Sequence, residues 1–176
     1  QVPLIVAVNN DLPGKTLRDF VEMAKAKPGQ LTFASASTSQ VVSTEVLSSM
    51  AGIKLNSVPY KSGPAAMTDL IGGQVMLFTA DFAVTLPQVK AGKIRGLAVT
   101  SSKRSRAIPE LPTVNEALGL KDYELIAWFA AYAPAGTPPE IIAKLNSALN
   151  IAASDKAILE KFAALGTFVV SLLLSF

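Results

Sequence analysis

An apolar strand passes through a hydroxyl-rich loop into the start of a helix in the segment Leu31-Thr-Phe-Ala-Ser-Ala-Ser-Thr-Ser-Gln40. The same order occurs after the apolar segments Leu55–Val58 and Val75–Phe78, and a fourth strand is predicted at Ile94–Val99. Strands joined by helices are normally parallel, because a parallel pair needs a crossover of about a dozen residues. The sequence therefore predicts an α/β fold with a parallel-rich sheet and flanking helices.

Three loops are predicted to gather at one edge of this sheet, at positions 35–40, 60–63 and 80–82. Open α/β folds bind their ligands at that edge, where parallel strands end. The loops are rich in hydroxyl and amide groups, and the chain of 176 residues contains no histidine and no cysteine. Because histidine is the commonest general base and both residues are common zinc ligands, the loops favour binding over catalysis.

The first loop is the main candidate for an anion site. Its hydroxyl groups and backbone N–H groups can converge at a helix N-terminus, which carries a partial positive charge. An ordinary capped turn has the same composition, so both interpretations stay open. In the other loops, Asp81 can accept hydrogen bonds from a ligand or cap the next helix, and Lys61 is interpreted as a surface lysine.

Catalysis and nucleic-acid binding have little support in the sequence. A serine nucleophile such as Ser37 would need a lysine as its base, and the glycine-rich motifs of hydrolases and nucleotide-binding proteins are absent. The carboxylates are scattered without metal-site spacing. We therefore expect no enzyme activity, no cofactor and no metal. The net charge of +3 is dispersed, and the basic group at 103–106 has no interleaved aromatic residues, so no nucleic-acid partner is expected.

Outside the repeat, strands and helices are predicted from capping motifs and from the spacing of apolar residues. A strand is predicted at Pro3–Asn9, and Thr16 with Asp19 has the capping-box spacing that starts a helix. Thr113 and Glu116 show the same spacing for a short helix. Thr137 is predicted to cap a helix that begins at Pro138 and runs to about position 152, a second helix is predicted at 155–166, and a last strand is possible at 167–176.

Two further predictions concern side chains in the core. The helix after the first loop has apolar residues at helical spacing, which predicts burial of Val42, Val46, Leu47 and Met50 on one face. The segment 123–132 is predicted to be a strand leaving the sheet. Its aromatic residues can stack on a ligand, but within such a strand they more often pack in a core or between domains, and Trp128, Phe129 and Tyr132 are assigned to the core on the hinge side.

Several long phrases resemble the receptors of tripartite tricarboxylate transporters, which are also called Bug proteins. They read Val58-Pro-Tyr-Lys-Ser-Gly-Pro-Ala-Ala-Met-Thr-Asp-Leu-Ile-Gly-Gly-Gln-Val75 and Leu86-Pro-Gln-Val-Lys-Ala-Gly-Lys-Ile-Arg-Gly-Leu-Ala-Val-Thr-Ser-Ser-Lys-Arg-Ser105. Pro109-Glu-Leu-Pro-Thr-Val114 and Ala133-Pro-Ala-Gly-Thr-Pro138 follow in the family's order. Phrases of this length are far more specific than a short motif, and the resemblance covers roughly positions 2–165.

The resemblance implies a periplasmic solute-binding receptor with a Venus-flytrap fold of the periplasmic-binding-protein type II kind. Such a receptor captures a small carboxylate and delivers it to a membrane permease without catalysing a reaction. The alternative is the ligand-sensing domain of a LysR-type regulator, which shares this kind of fold. The ligand-binding residues that the resemblance carries over are Ser35, Ala36, Ser37, Thr38, Ser39, Gln40, Asp81 and Phe82.

The resemblance also predicts how the chain divides. Family members are nearly twice as long, so residues 10–122 are expected to form the ligand-binding lobe, with 1–9 and 123–176 belonging to the other lobe as crossover strands and C-terminal helices. Half a cleft is expected to bind weakly, and the exposed C-terminal helices are expected to pair with a second copy. Val41 and Met76 depart from the family's usual histidine and aspartate, which leaves the carboxylate unidentified. A periplasmic location is expected, although the chain opens without the pattern of a signal peptide.

Overall fold

A computed structural model describes residues 2–128, 130–164 and 166–167. The described chain forms one main sheet with helices on both faces and two further helices near its end. In chain order the elements are β1 (Val2–Asn9), α1 (Leu17–Ala26), β2 (Thr32–Ser35), α2 (Thr38–Ala51), β3 (Asn56–Pro59), α3 (Gly63–Ile71), β4 (Leu77–Asp81), α4 (Phe82–Lys90), β5 (Ile94–Val99), α5 (Val114–Leu118), β6 (Ile126–Ala127), α6 (Pro139–Ser154) and α7 (Lys156–Ala164).

The sheet has the strand order β3-β2-β4-β1-β5, and β6 pairs with the start of β1. β2 is parallel to both β3 and β4, as the strand–helix repeat predicted. The prediction did not include the position of β1, which runs antiparallel between β4 and β5. Because β5 is antiparallel to β1, it keeps the same direction as the other strands of the repeat. The sheet is therefore parallel-rich, with one antiparallel strand in it.

β1 holds this position because it is apolar on both faces. All eight of its residues are buried, which is typical of a strand covered on both sides. Ile5 and Ala7 face the core layer beneath α3 and α4, whereas Val6 and Val8 face the layer beneath α1, α2 and α5. The assignment of residues 1–9 to another lobe stays a prediction about a longer receptor. In this chain the segment pairs with β4 and β5 within the main sheet.

The face that α2 buries is polar, and the prediction that Val42 and Met50 are buried is wrong. Their exposed fractions are 44% and 37%, while Leu47 is buried as predicted. Thr44 Oγ1 instead donates to Thr79 Oγ1 on β4 at 3.0 Å. Small hydroxyl residues can face the sheet here because partners satisfy them. The buried polar residues of α2 are Gln40, Ser43, Thr44 and Ser48.

The aromatic segment that begins at Tyr123 differs from its prediction in both secondary structure and burial. Only Ile126–Ala127 forms a strand, pairing with the first residues of β1. Beyond that pairing the chain leaves the sheet, so Trp128 and Tyr132 are exposed by 67% and 81%, and the prediction that they lie in the core is wrong for this chain. Packing of these side chains between domains stays a prediction. The prediction for Phe129 falls outside the described residues. Tyr123 itself is buried in the core.

The two C-terminal helices are present but pack differently from α1 to α5. α6 begins one residue later than predicted, because the Thr137 hydroxyl donates to the carbonyl of Pro134 at 2.8 Å instead of capping the helix. Neither α6 nor α7 contains a buried residue. Among the described helices, none is long and apolar enough to cross a membrane. The possible strand at 167–176 falls almost entirely outside the described residues.

Candidate functional site

Three strand ends and two open helix starts meet at one edge of the sheet. β2 lies between β3 and β4, so the loops after Ser35, Pro59 and Asp81 are neighbours. The antiparallel strand β1 begins at this edge too, because Leu4 is in register with Asp81. The edge is where ligands of parallel α/β sheets bind.

The start of α2 presents unpaired donors at this edge. The first N–H groups of a helix have no acceptor within the helix. The N-cap residue Ser37 makes no side-chain cap; its hydroxyl lies 3.1 Å from that of Ser39. Within the described ranges, no group accepts a hydrogen bond from the backbone N–H of Thr38, Ser39 or Gln40. These N–H groups can bind an anion together.

The other helix starts show that this openness is not general. Thr16 and Thr113 cap α1 and α5 in complete capping boxes. At the neighbouring loop of the same edge, Ser62 accepts from the N–H of Ala65 at the start of α3. α4 resembles α2, since its N-cap residue Asp81 makes no side-chain cap. Among the helices that start at this edge, α2 and α4 therefore lack a side-chain cap, and they follow the neighbouring strands β2 and β4; away from the strand–helix repeat, α6 also starts without one.

Three of the predicted ligand-binding residues hold the first loop in shape. The backbone N–H of Ala36 donates to Gln40 Oε1 at 2.9 Å, and the Gln40 side chain is buried. Ser35 Oγ lies 2.9 Å from Ser57 Oγ, while its carbonyl accepts from the N–H of Tyr60 at 2.7 Å. These side-chain and loop bonds leave the start of α2 as the part of the loop that is open to a ligand.

Ser57, which ties the first loop to β3, was not among the residues predicted for the site. A signal was available in the alternation of strand side chains. Ser57 is in register with Phe33, so its side chain and that of Ser35 fall on the same face of two neighbouring strands. Finding this pair required the register of the strands, which the sequence analysis did not predict.

Asp81 is a half-buried acid without a cationic partner. Burial raises the pKa of its carboxyl group, and a hydrogen bond from its own backbone N–H acts in the opposite direction. In the part of the chain that the structure describes, no lysine or arginine forms an ion pair with it. The charged form therefore costs the folded chain stability at neutral pH, and this cost disappears as the pH falls through the raised pKa. An acid kept in such a place is typical of a functional site.

The direction of the Asp81 side chain follows from its strand. Thr79 faces α2, as its bond to Thr44 shows. Side chains two residues apart lie on the same face of a strand, which puts Asp81 on the α2 face as well. Phe82, the next residue, has a completely buried side chain in the opposite core layer, so only its backbone is available to a ligand.

Metal binding finds no support in the described residues. No three acidic side chains come together there in a way that could hold an ion. The available groups are backbone N–H donors, hydroxyl groups and one carboxylate, which suit an organic anion that also carries a hydrogen-bond donor.

Residues 1–171 match the profile of the tripartite tricarboxylate transporter family receptor. The chain belongs to this receptor family. It is 40% identical over 173 residues to a protein encoded in the TAR-I ttuE-ttuC′ intergenic region of Agrobacterium vitis. That match takes in 97% of the receptor chain and 50% of the relative. The receptor chain thus spans about half the length of the curated relatives it matches.

Solved structures confirm the predicted periplasmic-binding-protein fold. The receptor chain matches R. palustris Rpa4515 with adipate at 33% identity and a TM-score of 0.89, over 94% of this chain and 56% of that one. It matches MatC of Rhodopseudomonas palustris with bound malate at 27% identity and a TM-score of 0.87, over 96% of this chain and 57% of that one. Proteins of this family are periplasmic solute-binding proteins rather than enzymes, as predicted. These matches do not favour the LysR-type alternative.

Proposed function

We propose that this receptor chain binds a small hydroxy- or amino-substituted carboxylate in the periplasm and delivers it to a membrane permease. The observation that carries the proposal is the pair of uncapped helix starts, α2 and α4, beside the unpaired Asp81. A ligand carboxylate takes the N–H groups of Thr38 and Ser39. Asp81, on the same face of the sheet, accepts from the ligand's hydroxyl or amine.

Asp81 makes the site selective for the second polar group of the ligand. A carboxylate accepts hydrogen bonds but cannot donate them, so a bare carboxylate next to Asp81 would be repelled. A hydroxyl or ammonium group satisfies Asp81 instead. Malate, which is bound by one structural neighbour, has this combination. Succinate differs from malate only by lacking the hydroxyl, so the two form a matched pair of probes.

We expect malate to bind more tightly than succinate, by roughly tenfold or more, because a hydrogen bond to a charged group contributes about 1.5–3 kcal/mol. In Asp81→Ala this preference should disappear. NMR titration of the isotope-labelled chain measures both affinities, and it suits the weak binding expected of a chain that covers half of its relatives. Lys61→Ala serves as the control at the same edge and should keep the preference. Equal binding of both ligands by the unmodified chain would contradict the role of Asp81.

We further propose that a second copy of the chain covers the exposed apolar face of α6. Ile141, Leu145 and Leu149 recur at helical spacing on this face with exposed fractions of 41–56%. The structure holds no described element over them, and a two-fold pairing brings the same face of each copy together. Light scattering should then give a dimer, and Leu145→Lys with Leu149→Lys should give a folded monomer. A monomeric unmodified chain would contradict the pairing.

A further inference from the structure

We propose that Gly166 positions the ligand-binding start of α4 by packing directly against the ring of Phe82. Phe82 follows Asp81 immediately and is the first residue of α4. Gly166 is buried, and a Cβ atom built on it would lie only 2.8 Å from Cγ and Cε1 of the Phe82 ring. No side chain fits between the two residues without a shift of the ring.

The turn that contains Gly166 is fixed by the end of α7. Gly166 has a φ of 67°, a left-handed conformation that glycine adopts without strain. Its N–H donates to the carbonyl of Ala163 at 3.0 Å, and the N–H of Thr167 donates to the carbonyl of Phe162 at 2.9 Å. This is the bonding of a helix end closed by glycine. Because this turn is bonded to the end of α7, the position of Gly166 against the Phe82 ring depends on the position of α7.

The contact between Gly166 and Phe82 is important because Gly166 is buried although the helix before it is not. α7 itself contains no buried residue, whereas the turn that ends it is buried at Gly166. On the other side, the Phe82 ring belongs to the core layer beneath α3 and α4 and cannot move without disturbing its neighbours. A displaced ring moves the first turn of α4, and with it the backbone of Asp81. The C-terminal helices are thereby coupled to the ligand edge.

The test compares Gly166→Ala with Gly119→Ala. Gly119 also ends a helix, with a φ of 70°, but a Cβ atom there would meet nothing within 4 Å. Both variants therefore carry the same backbone strain, and only Gly166→Ala pushes on a ring. We expect Gly166→Ala to shift the amide signals of residues 81–84 and to weaken malate binding about tenfold, the size of one lost charge-assisted hydrogen bond. Gly119→Ala should do neither.

A second variant separates ring displacement from general damage. Phe82→Leu shortens the side chain that the new methyl group meets, so Gly166→Ala should shift the amide signals of α4 much less when it is introduced into Phe82→Leu than when it is introduced into the unmodified chain. Equal effects of the two glycine variants, or an equally large shift in Phe82→Leu, would overturn the inference. The ligand readout rests on the proposed function, but the amide signals of the free chain do not. If the unmodified chain fails to bind malate, the proposed function fails while the positioning test still gives its answer.

Discussion

Thr38→Pro is expected to weaken malate binding by roughly 10- to 100-fold, the range for one lost hydrogen bond to a charged group, with little change in thermal stability. Thr38 is the first helical residue of α2, and its N–H has no acceptor among the described residues. Proline is well tolerated at this position because the missing N–H serves no bond within the helix. The preceding Ser37 has φ −154° and ψ 160°, a conformation that a residue before proline adopts.

Thr38→Ala is the matched control, because it removes the hydroxyl and keeps the N–H. NMR titration with malate measures the affinity of each variant, and thermal unfolding checks that both remain folded. We expect Thr38→Ala to bind nearly as well as the unmodified chain. If both variants lose affinity equally, the hydroxyl rather than the backbone is the ligand contact. If Thr38→Pro binds malate normally, the ligand does not lie at the start of α2.

Local signals predicted the features that depend on a few neighbouring residues. The capping boxes at Thr16 and Thr113 occur in the structure because each needs only a hydroxyl and an acid three residues later. The strand–loop–helix repeat predicted parallel strands for a similar reason, since the helical connection leaves few other arrangements. The local signals led as far as an α/β sheet and a candidate anion site, and the family resemblance added the Venus-flytrap receptor fold and the expectation of a carboxylate ligand.

Features that depend on distant partners were not predictable in this way. The antiparallel position of β1 is decided by pairing with β4 and β5, which lie far along the chain. The polar face of α2 is buried because Thr79 and Tyr123 satisfy its hydroxyl groups. Apolar spacing alone favoured Val42 instead. The site has a similar feature, because the sequence does not show that the Gln40 side chain already accepts a hydrogen bond from the backbone N–H of Ala36.

Tyr123→Ala is expected to cost about 3–5 kcal/mol of unfolding free energy, the usual loss for a buried aromatic side chain. Only 1% of Tyr123 is exposed, and its ring lies in the core layer that also holds Phe20 and Phe33. Burial raises the pKa of its hydroxyl to about 12, so the group stays neutral. An ordinary domain has about 5–15 kcal/mol of stability, so this single change removes a large share of it.

Tyr123→Phe separates the ring from the hydroxyl, whose oxygen lies 2.9 Å from Ser43 Oγ and donates to the carbonyl of Ser43 at 3.1 Å. Keeping the ring, this variant should lose only about 1–1.5 kcal/mol, the net value of a hydrogen bond. Urea unfolding measures both losses, and Ser43→Ala combined with Tyr123→Phe should lose less than the sum of the single changes. This hydroxyl pair holds the buried face of α2, whose first turn is the proposed ligand site, so Tyr123→Phe should also weaken malate binding slightly. Additive losses in the double variant would mean that the two hydroxyl groups act independently and that their contact does not help to hold α2 against the sheet.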